Sequence, residues 1–229
     1  MKRQNTHAGK AESYNIGRPN YPEAFFEYLY AEMGLTKDSI IADIGAGTGK
    51  ITKGFCERGS KVFAVEPDTS MMGFLKKNLS DFPNCTALEN TAENTGIQSG
   101  SIDMIFCGNS FHWFDKAKVI PEFKRILKGN ESVNVIIASL GTGGTTPKRA
   151  FPFDTNKFVN EVFEYTVFEG FEEYLHGSLS ASSAPTQGDE GFEEYCNSLR
   201  ERFEKESISG KAEKTFRLSC MIGNVDDLI

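Results

Sequence analysis

The chain alternates two hydrophobic periods. Phe25, Phe26 and Leu29 recur at helical spacing behind Pro22, and Gly34 marks the end of that helix. A short unbroken apolar run follows at Ile40–Ile44, the signature of a buried strand. Ile51 and Phe55, four apart, predict a helix over Lys50–Arg58, closed by Gly59. Lys61–Val65 reads as a second strand, and Met71, Met72, Leu75 and Leu79 as one face of another helix. Thr86–Leu88 and Ser101–Cys107 give a weak third and a clear fourth strand. Pro121–Lys128 gives a helix with Phe123, Ile126 and Leu127, and Ser132–Leu140 a fifth strand. Strand and helix thus alternate from about 35 to 140, which predicts an α/β fold with a mostly parallel sheet and helices on both faces.

Outside that stretch the texture changes. Tyr14–Pro22 is a turn-rich leader with little apolar material to anchor it. Residues 141–154 read as loop and Lys157–Phe168 as a strand. Ser178–Gly188, rich in Ser, Ala, Pro and Gly, reads as a mobile surface loop. Glu190–Lys205 reads as a helix, with Tyr195, Leu199 and Phe203 on one face, and Thr215–Ile222 as a last strand. The expected organisation is one domain. Residues 1–34 form a leader and lid, 35–140 a ligand-binding core, and 141–229 the last strands and a substrate-side cap.

Composition narrows the function. With 229 residues, 39% hydrophobic and 25% charged, the chain supports a full core without disulfides or a structural metal. Its net charge of −7 argues against a general binder of phosphate backbones, so no nucleic-acid partner is expected. Five dispersed cysteines, no C-x-x-C and three histidines leave no metal site to propose. The N-terminal residues do not resemble a signal peptide, and no apolar stretch is long enough for a bilayer. A reducing, cytoplasmic setting without a membrane partner is expected. Oligomeric state is not readable.

Candidate chemistry centres on Asp43-Ile44-Gly45-Ala46-Gly47-Thr48-Gly49, where a strand ends, glycines alternate and a helix begins. Glycines permit positive φ and close ligand approach, and the helix N-terminus offers unpaired N–H groups. Some twenty residues on, the second strand ends in Glu66, an acid placed for a ribose diol. The spacing is not the G-x-G-x-x-G of nicotinamide-binding folds, because the third glycine arrives one residue early.

The D-x-G-x-G-x-G loop resembles motif I of class I S-adenosylmethionine-dependent methyltransferases, specifically the small-molecule subgroup with a methyltransferase type 11 domain. Tyr14-x-x-x-Arg18-Pro19-x-Tyr21-Pro22 is similar to that subgroup's leader, and Val65-Glu66-Pro67 with Met71 to its motif II. Thr91-Ala92-Glu93 resembles the adenine-contacting segment, and Asn109-Ser110-Phe111-His112-Trp113 the segment after the fourth strand. The resemblance implies a Rossmann-like sheet of seven strands, the last antiparallel, with S-adenosyl-L-methionine as cofactor and a small-molecule methyl acceptor.

It also implies cofactor contacts at Tyr14, Arg18, Asp43, Gly45, Ala46, Gly47, Gly49, Glu66, Pro67, Met71, Ala92, Glu93, Asn109, Ser110 and Phe111. His112 follows as a proton acceptor, and Trp113 and Ser183 as substrate contacts. The chain departs from the pattern at Lys128-Gly129-Asn130-Glu131, which replaces a proline-containing turn, and at Ser183, which stands where relatives carry tyrosine. Two other readings remain: a nicotinamide-dependent oxidoreductase, and a cofactor-binding protein of the same fold without catalysis.

Overall fold

The computed structural model describes residues 9–129, 133–142, 152–154 and 157–229. The turn at Asn130-Glu131, the expected strand start at Ser132 and most of the 141–154 loop lie outside them. In chain order the elements are α1 (Ala11–Gly17), α2 (Glu23–Ala31), β1 (Ile40–Ile44), α3 (Lys50–Glu57), β2 (Lys61–Val65), α4 (Thr69–Asn78), β3 (Cys85–Leu88) and β4 (Met104–Gly108). A 3-10 turn at Phe111–Trp113 precedes α5 (Lys116–Ile126), β5 (Val135–Thr142), β6 (Phe158–Glu169), α6 (Phe171–Leu179), α7 (Phe192–Glu206) and β7 (Ala212–Gly223).

The sheet has seven strands in the order β3-β2-β1-β4-β5-β7-β6. The first five are parallel, with Ile44 beside Val65, Ile41 beside Met104, Val62 beside Cys85 and Ile105 beside Val135. β7 runs antiparallel: its last residue, Gly223, accepts from Asn134 N at the start of β5 (3.0 Å). This is the expected Rossmann-like arrangement. Two compact groupings emerge, Tyr21–Glu164 with Arg217–Ile229, and residues up to 20 with Tyr165–Phe216. Their boundaries fall after residues 20, 164 and 216. Among the described residues no helix is long and apolar enough to cross a membrane.

In the larger unit, side-chain alternation assigns the faces. Ile105 and Cys107 point into a core with Val119, Phe123 and Ile126 of α5. Phe106, between them, points the other way, into a tilted contact with Phe25 of α2 and an edge-on contact with Phe55 of α3. Met72, Leu75 and Leu79 pack with Ala46 and Ala64. Helices therefore cover both faces, as the continuous apolar runs of β1 and β4 require.

The structure corrects several local expectations. α5 begins at Lys116, five residues before Pro121, because the Asp115 carboxylate caps it by accepting from Ala117 N (3.2 Å). In the smaller unit the leader is not bare turn: Ala11–Gly17 is a helix packed on α6, itself absent from the sequence reading. The two meet at Gly17 and Gly177, where a Cβ on Gly17 would fall on the Gly177 backbone. Ser13 Oγ lies 3.0 Å from His176 Nδ1. The 178–188 segment is likewise held, with Ser180 fully buried and the Lys10 ammonium donating to Ala181 O (2.5 Å) and Ala184 O (2.6 Å).

Candidate functional site

The larger unit brings the ends of β1, β2 and β4 together at one sheet edge, where the strand order reverses between β1 and β4. In open α/β sheets ligands bind at this place. The glycine loop is hung on β2: Gly45 N and Ala46 N both donate to Val65 O, at 2.8 and 3.0 Å. Asn78 of α4 secures its far side by donating to Thr48 O (2.8 Å). Gly45, Gly47 and Gly49 all have positive φ, at 76°, 58° and 85°. A Cβ on Gly45 would lie 2.5 Å from the Ser110 Cβ and 3.5 Å from the Phe114 ring. Backbone is thus exposed where a side chain has no room.

Glu66 closes the loop from the β2 side. Its Oε2 accepts from Gly47 N (2.8 Å) and its Oε1 from Asp68 N (2.9 Å). Burial raises its pKa, while those two backbone donors pull the other way. Pro67 is exposed beside it. Asp68 caps α4 through Ser70 N and Met71 N, and Met71 is buried.

Asp43 lies beneath the loop, fully buried. Thr52 Oγ1 of α3 donates to its Oδ2 (2.5 Å), whereas Oδ1 has no hydrogen-bond partner. Burial drives its pKa up to about 7 against the Thr52 hydrogen bond, and the Glu66 charge adds to the rise.

On the β4 side, Asn109 adopts φ +54°, rare for a residue with a Cβ. Its side-chain amide pairs with Leu140, accepting from Leu140 N (3.2 Å) and donating to Leu140 O (3.3 Å), which ties the end of β4 to β5. Ser110 then crosses to β1, donating to Ile44 O (2.7 Å). Phe111 is buried against Phe114 and Phe123. His112 and Trp113 stand at the surface with ring centroids 4.6 Å apart. Ala92 is buried, and Glu93 Oε1 accepts from Asp115 N (2.9 Å), so this carboxylate joins the loop after β3 to the start of α5.

Three predicted site residues belong to the other unit. Tyr14 lies in α1, with the Arg18 guanidinium over its ring at 4.9 Å. Arg18 Nε is buried without a hydrogen-bond partner, and Ser183 is exposed. Sequence reasoning missed Thr52, Asn78 and Phe114. Nothing local marks Thr52 or Phe114, because their roles arise from residues nine or more positions away.

The residues present fit an adenosyl cofactor: glycines leave backbone open, an acid ends β2, and a buried carboxylate oxygen lacks a donor. Residues 42–133, from β1 to just before β5, match the family described as a methyltransferase domain. With the sheet order and the loop geometry, this makes the region a class I methyltransferase domain, the class whose cofactor is S-adenosylmethionine. Among curated proteins the chain is similar to an uncharacterized methyltransferase of Mycobacterium tuberculosis. The two are 36% identical over 116 residues, 51% of this chain and 45% of that protein. An uncharacterized methyltransferase of Schizosaccharomyces pombe is 32% identical over 124 residues, 54% of this chain and 48% of that one. The chain spans about half the length of the curated relatives it matches. In fold it resembles a candidate type II methyltransferase from Anaeromyxobacter dehalogenans. The TM-score is 0.65 at 19% identity, covering 91% of this chain and 98% of that one.

Proposed function

We propose that the chain transfers the methyl group of S-adenosylmethionine to a small-molecule acceptor. The observation carrying this reading is the loop that offers backbone between Asp43 and Glu66 where a Gly45 Cβ has no room. The cofactor supplies an electrophilic methyl on a sulfonium. The protein's own work is to orient its partners and exclude water. Glu66 holds the ribose, Asp43 the amino end, and the buried Met71 and Ala92 the adenine, while Glu93 and the Asn109–Phe111 segment shape the wall. The acidic net charge supports a small acceptor over a nucleic acid. The free cysteines fit a reducing, cytoplasmic setting. The deciding experiment feeds labelled S-adenosylmethionine and a metabolite pool to the protein. Label on one small product is expected. Label on RNA or protein alone would overturn the acceptor class, and its absence from every fraction the activity.

Glu66→Ala removes a carboxylate that arranges the loop as well as meeting the ligand. Affinity for S-adenosylhomocysteine should fall by about 1–3 kcal/mol. Calorimetric titration reads this directly, and an unchanged constant would mean that the ribose lies elsewhere.

His112 we read as accepting the acceptor's proton, with Trp113 beside it against substrate. His112→Ala should cut turnover by about 10²–10⁴ while leaving cofactor affinity within about threefold. His112→Asn should fail to restore the rate. Recovery with Asn would make the residue a positioning group.

We propose further that Tyr14 and Arg18, with Ser183, serve ligand, the leader ordering when it binds. α1 is packed on α6, so the two must respond together. Hydrogen exchange of residues 10–22 and 171–179 should slow in parallel on adding S-adenosylhomocysteine. Slowing in neither segment would make the leader a fixed part of the fold.

A further inference from the structure

The sequence around Phe163 is close to a palindrome. Outward from it, Asn160 answers Thr166, Val159 answers Val167, Phe158 answers Phe168, and Lys157 answers Glu169. This stretch is β6, 12 residues long where strands usually run to about five or six. Among the described residues β6 ends the sheet, with β7 on one side and no strand on the other. Such an edge is a template for further pairing unless proline, lysine or a bulge guards it. Phe158–Glu169 holds no proline, glycine or lysine, and its only charges are Glu161, Glu164 and Glu169. Val159 and Phe168 are large apolar side chains left exposed, at 48% and 60%.

We infer that the outer edge of β6 is an interface with a second copy of this chain, the two strands pairing antiparallel about a twofold axis at Phe163. This does not depend on the proposed methyl transfer. A twofold that joins two identical sheet edges stands normal to the sheet, because only then do the strands run antiparallel with their faces kept. Directly opposed side chains share a face, so the axis falls on a residue rather than between two. β6 is one continuous strand, and the register follows from its own residues.

With the axis at Phe163, Phe158 of one copy faces Phe168 of the other, Val159 faces Val167 and Asn160 faces Thr166. Aromatic, β-branched and hydrogen-bonding pairs of this kind are what stabilise a ladder. No acid meets an acid: Glu161 faces Tyr165, Glu164 faces Val162, and Glu169 faces Lys157. Lys157 and Glu169 keep partners in their own chain, Asp227 (2.9 Å) and Lys214 (3.2 Å), so that pair adds complementarity rather than a new bond. Neighbouring registers are worse. An axis at Glu161 or Glu164 sets that glutamate against itself, and one at Tyr165 sets Glu161 against Glu169. An axis at Val162 leaves Val167 and Phe168 beyond the start of the other strand. Phe163 already packs on Phe25 and Tyr28 of α2, so the axis residue is held by its own chain.

Sedimentation equilibrium of the full chain should show a dimer that dissociates on dilution, and a single-chain mass at about 100 μM overturns the inference. Val159→Lys combined with Phe168→Lys changes two exposed side chains and brings lysines near one another across the axis. The dimer dissociation constant should rise about tenfold or more, with circular dichroism unchanged. Register is read by cross-linking at two exposed positions. Asn160→Cys and Thr166→Cys, made in separate chains and mixed under a mild oxidant, should set their new thiols at the Cα separation that a disulfide needs. A peptide linking positions 160 and 166 is expected from the mixture and from neither variant alone. A dimer that persists unweakened in the lysine variant overturns β6 as the interface. So does a dimeric mixture that links elsewhere or not at all, and this second result decides by itself if the lysine variant misfolds.

Discussion

Gly45→Ala is expected to destabilise the fold and to abolish cofactor binding together. Gly45 sits at φ +76°, where a Cβ costs about 1–2 kcal/mol. The new carbon would also fall 2.5 Å from the Ser110 Cβ, and relieving such an overlap in a packed site costs about 1–3 kcal/mol more. Ser110 cannot easily retreat, because its hydroxyl is bonded to Ile44 O and its backbone follows the strained Asn109. The loop must therefore move, breaking the Gly45 N and Ala46 N bonds to Val65 O. Stability should drop by about 2–5 kcal/mol in denaturant titration, and binding of S-adenosylhomocysteine should be lost even in the folded fraction. Adding Ser110→Gly separates the two causes. It removes the opposing carbon and should return the overlap part, leaving the positive-φ cost and the lost Ser110 hydrogen bond. If Gly45→Ala binds ligand and unfolds like the wild type, the loop is not the constrained cradle described.

The sheet was legible because its parallel strands are buried on both faces and so read as unbroken apolar runs, from Ile40–Ile44 to the fifth strand. The loop was legible because three alternating glycines between a strand and a helix suit little else. Less visible was anything that depends on two elements meeting. α1 and α6 are short, and each gains its partner in the other through Gly17 and Gly177, so neither carries a strong pattern alone. The 178–188 segment has the composition of a free loop, yet a lysine 171 positions from Ala181 binds it. At the site the residue types were readable but not their state. The sequence places Asp43 and Glu66 at strand ends. Only packing shows that one Asp43 oxygen has no donor and that both Glu66 oxygens are engaged by backbone.

The state of Asp43 should be visible in the pH dependence of stability. In the unfolded chain its carboxyl ionises near 3.8, and in the folded protein burial raises that to about 7. Between these values the folded state holds a proton that the unfolded state has released. Stability must therefore fall as pH rises through this window and level off above it, by about 1.4 kcal/mol per pH unit and about 4 kcal/mol in all. Glu66, also raised by burial, adds in the same direction. Glu122 acts oppositely: its bonds to Arg125 lower it from 4.5 to about 2, giving stability that is lost only as pH falls through that lower range. Asp43→Asn isolates the first contribution, since it still accepts from Thr52 but cannot ionise. From pH 5 to pH 8 the Asn variant should gain about 3 kcal/mol relative to the wild type in urea titrations. Parallel curves would mean that Asp43 is already ionised when folded. Ligand adds a second reading. If Asp43 meets the cationic amino end of the cofactor, binding favours the ionised carboxylate. Affinity for S-adenosylhomocysteine should then rise with pH up to about 7 in the wild type and stay flat over that range in Asp43→Asn.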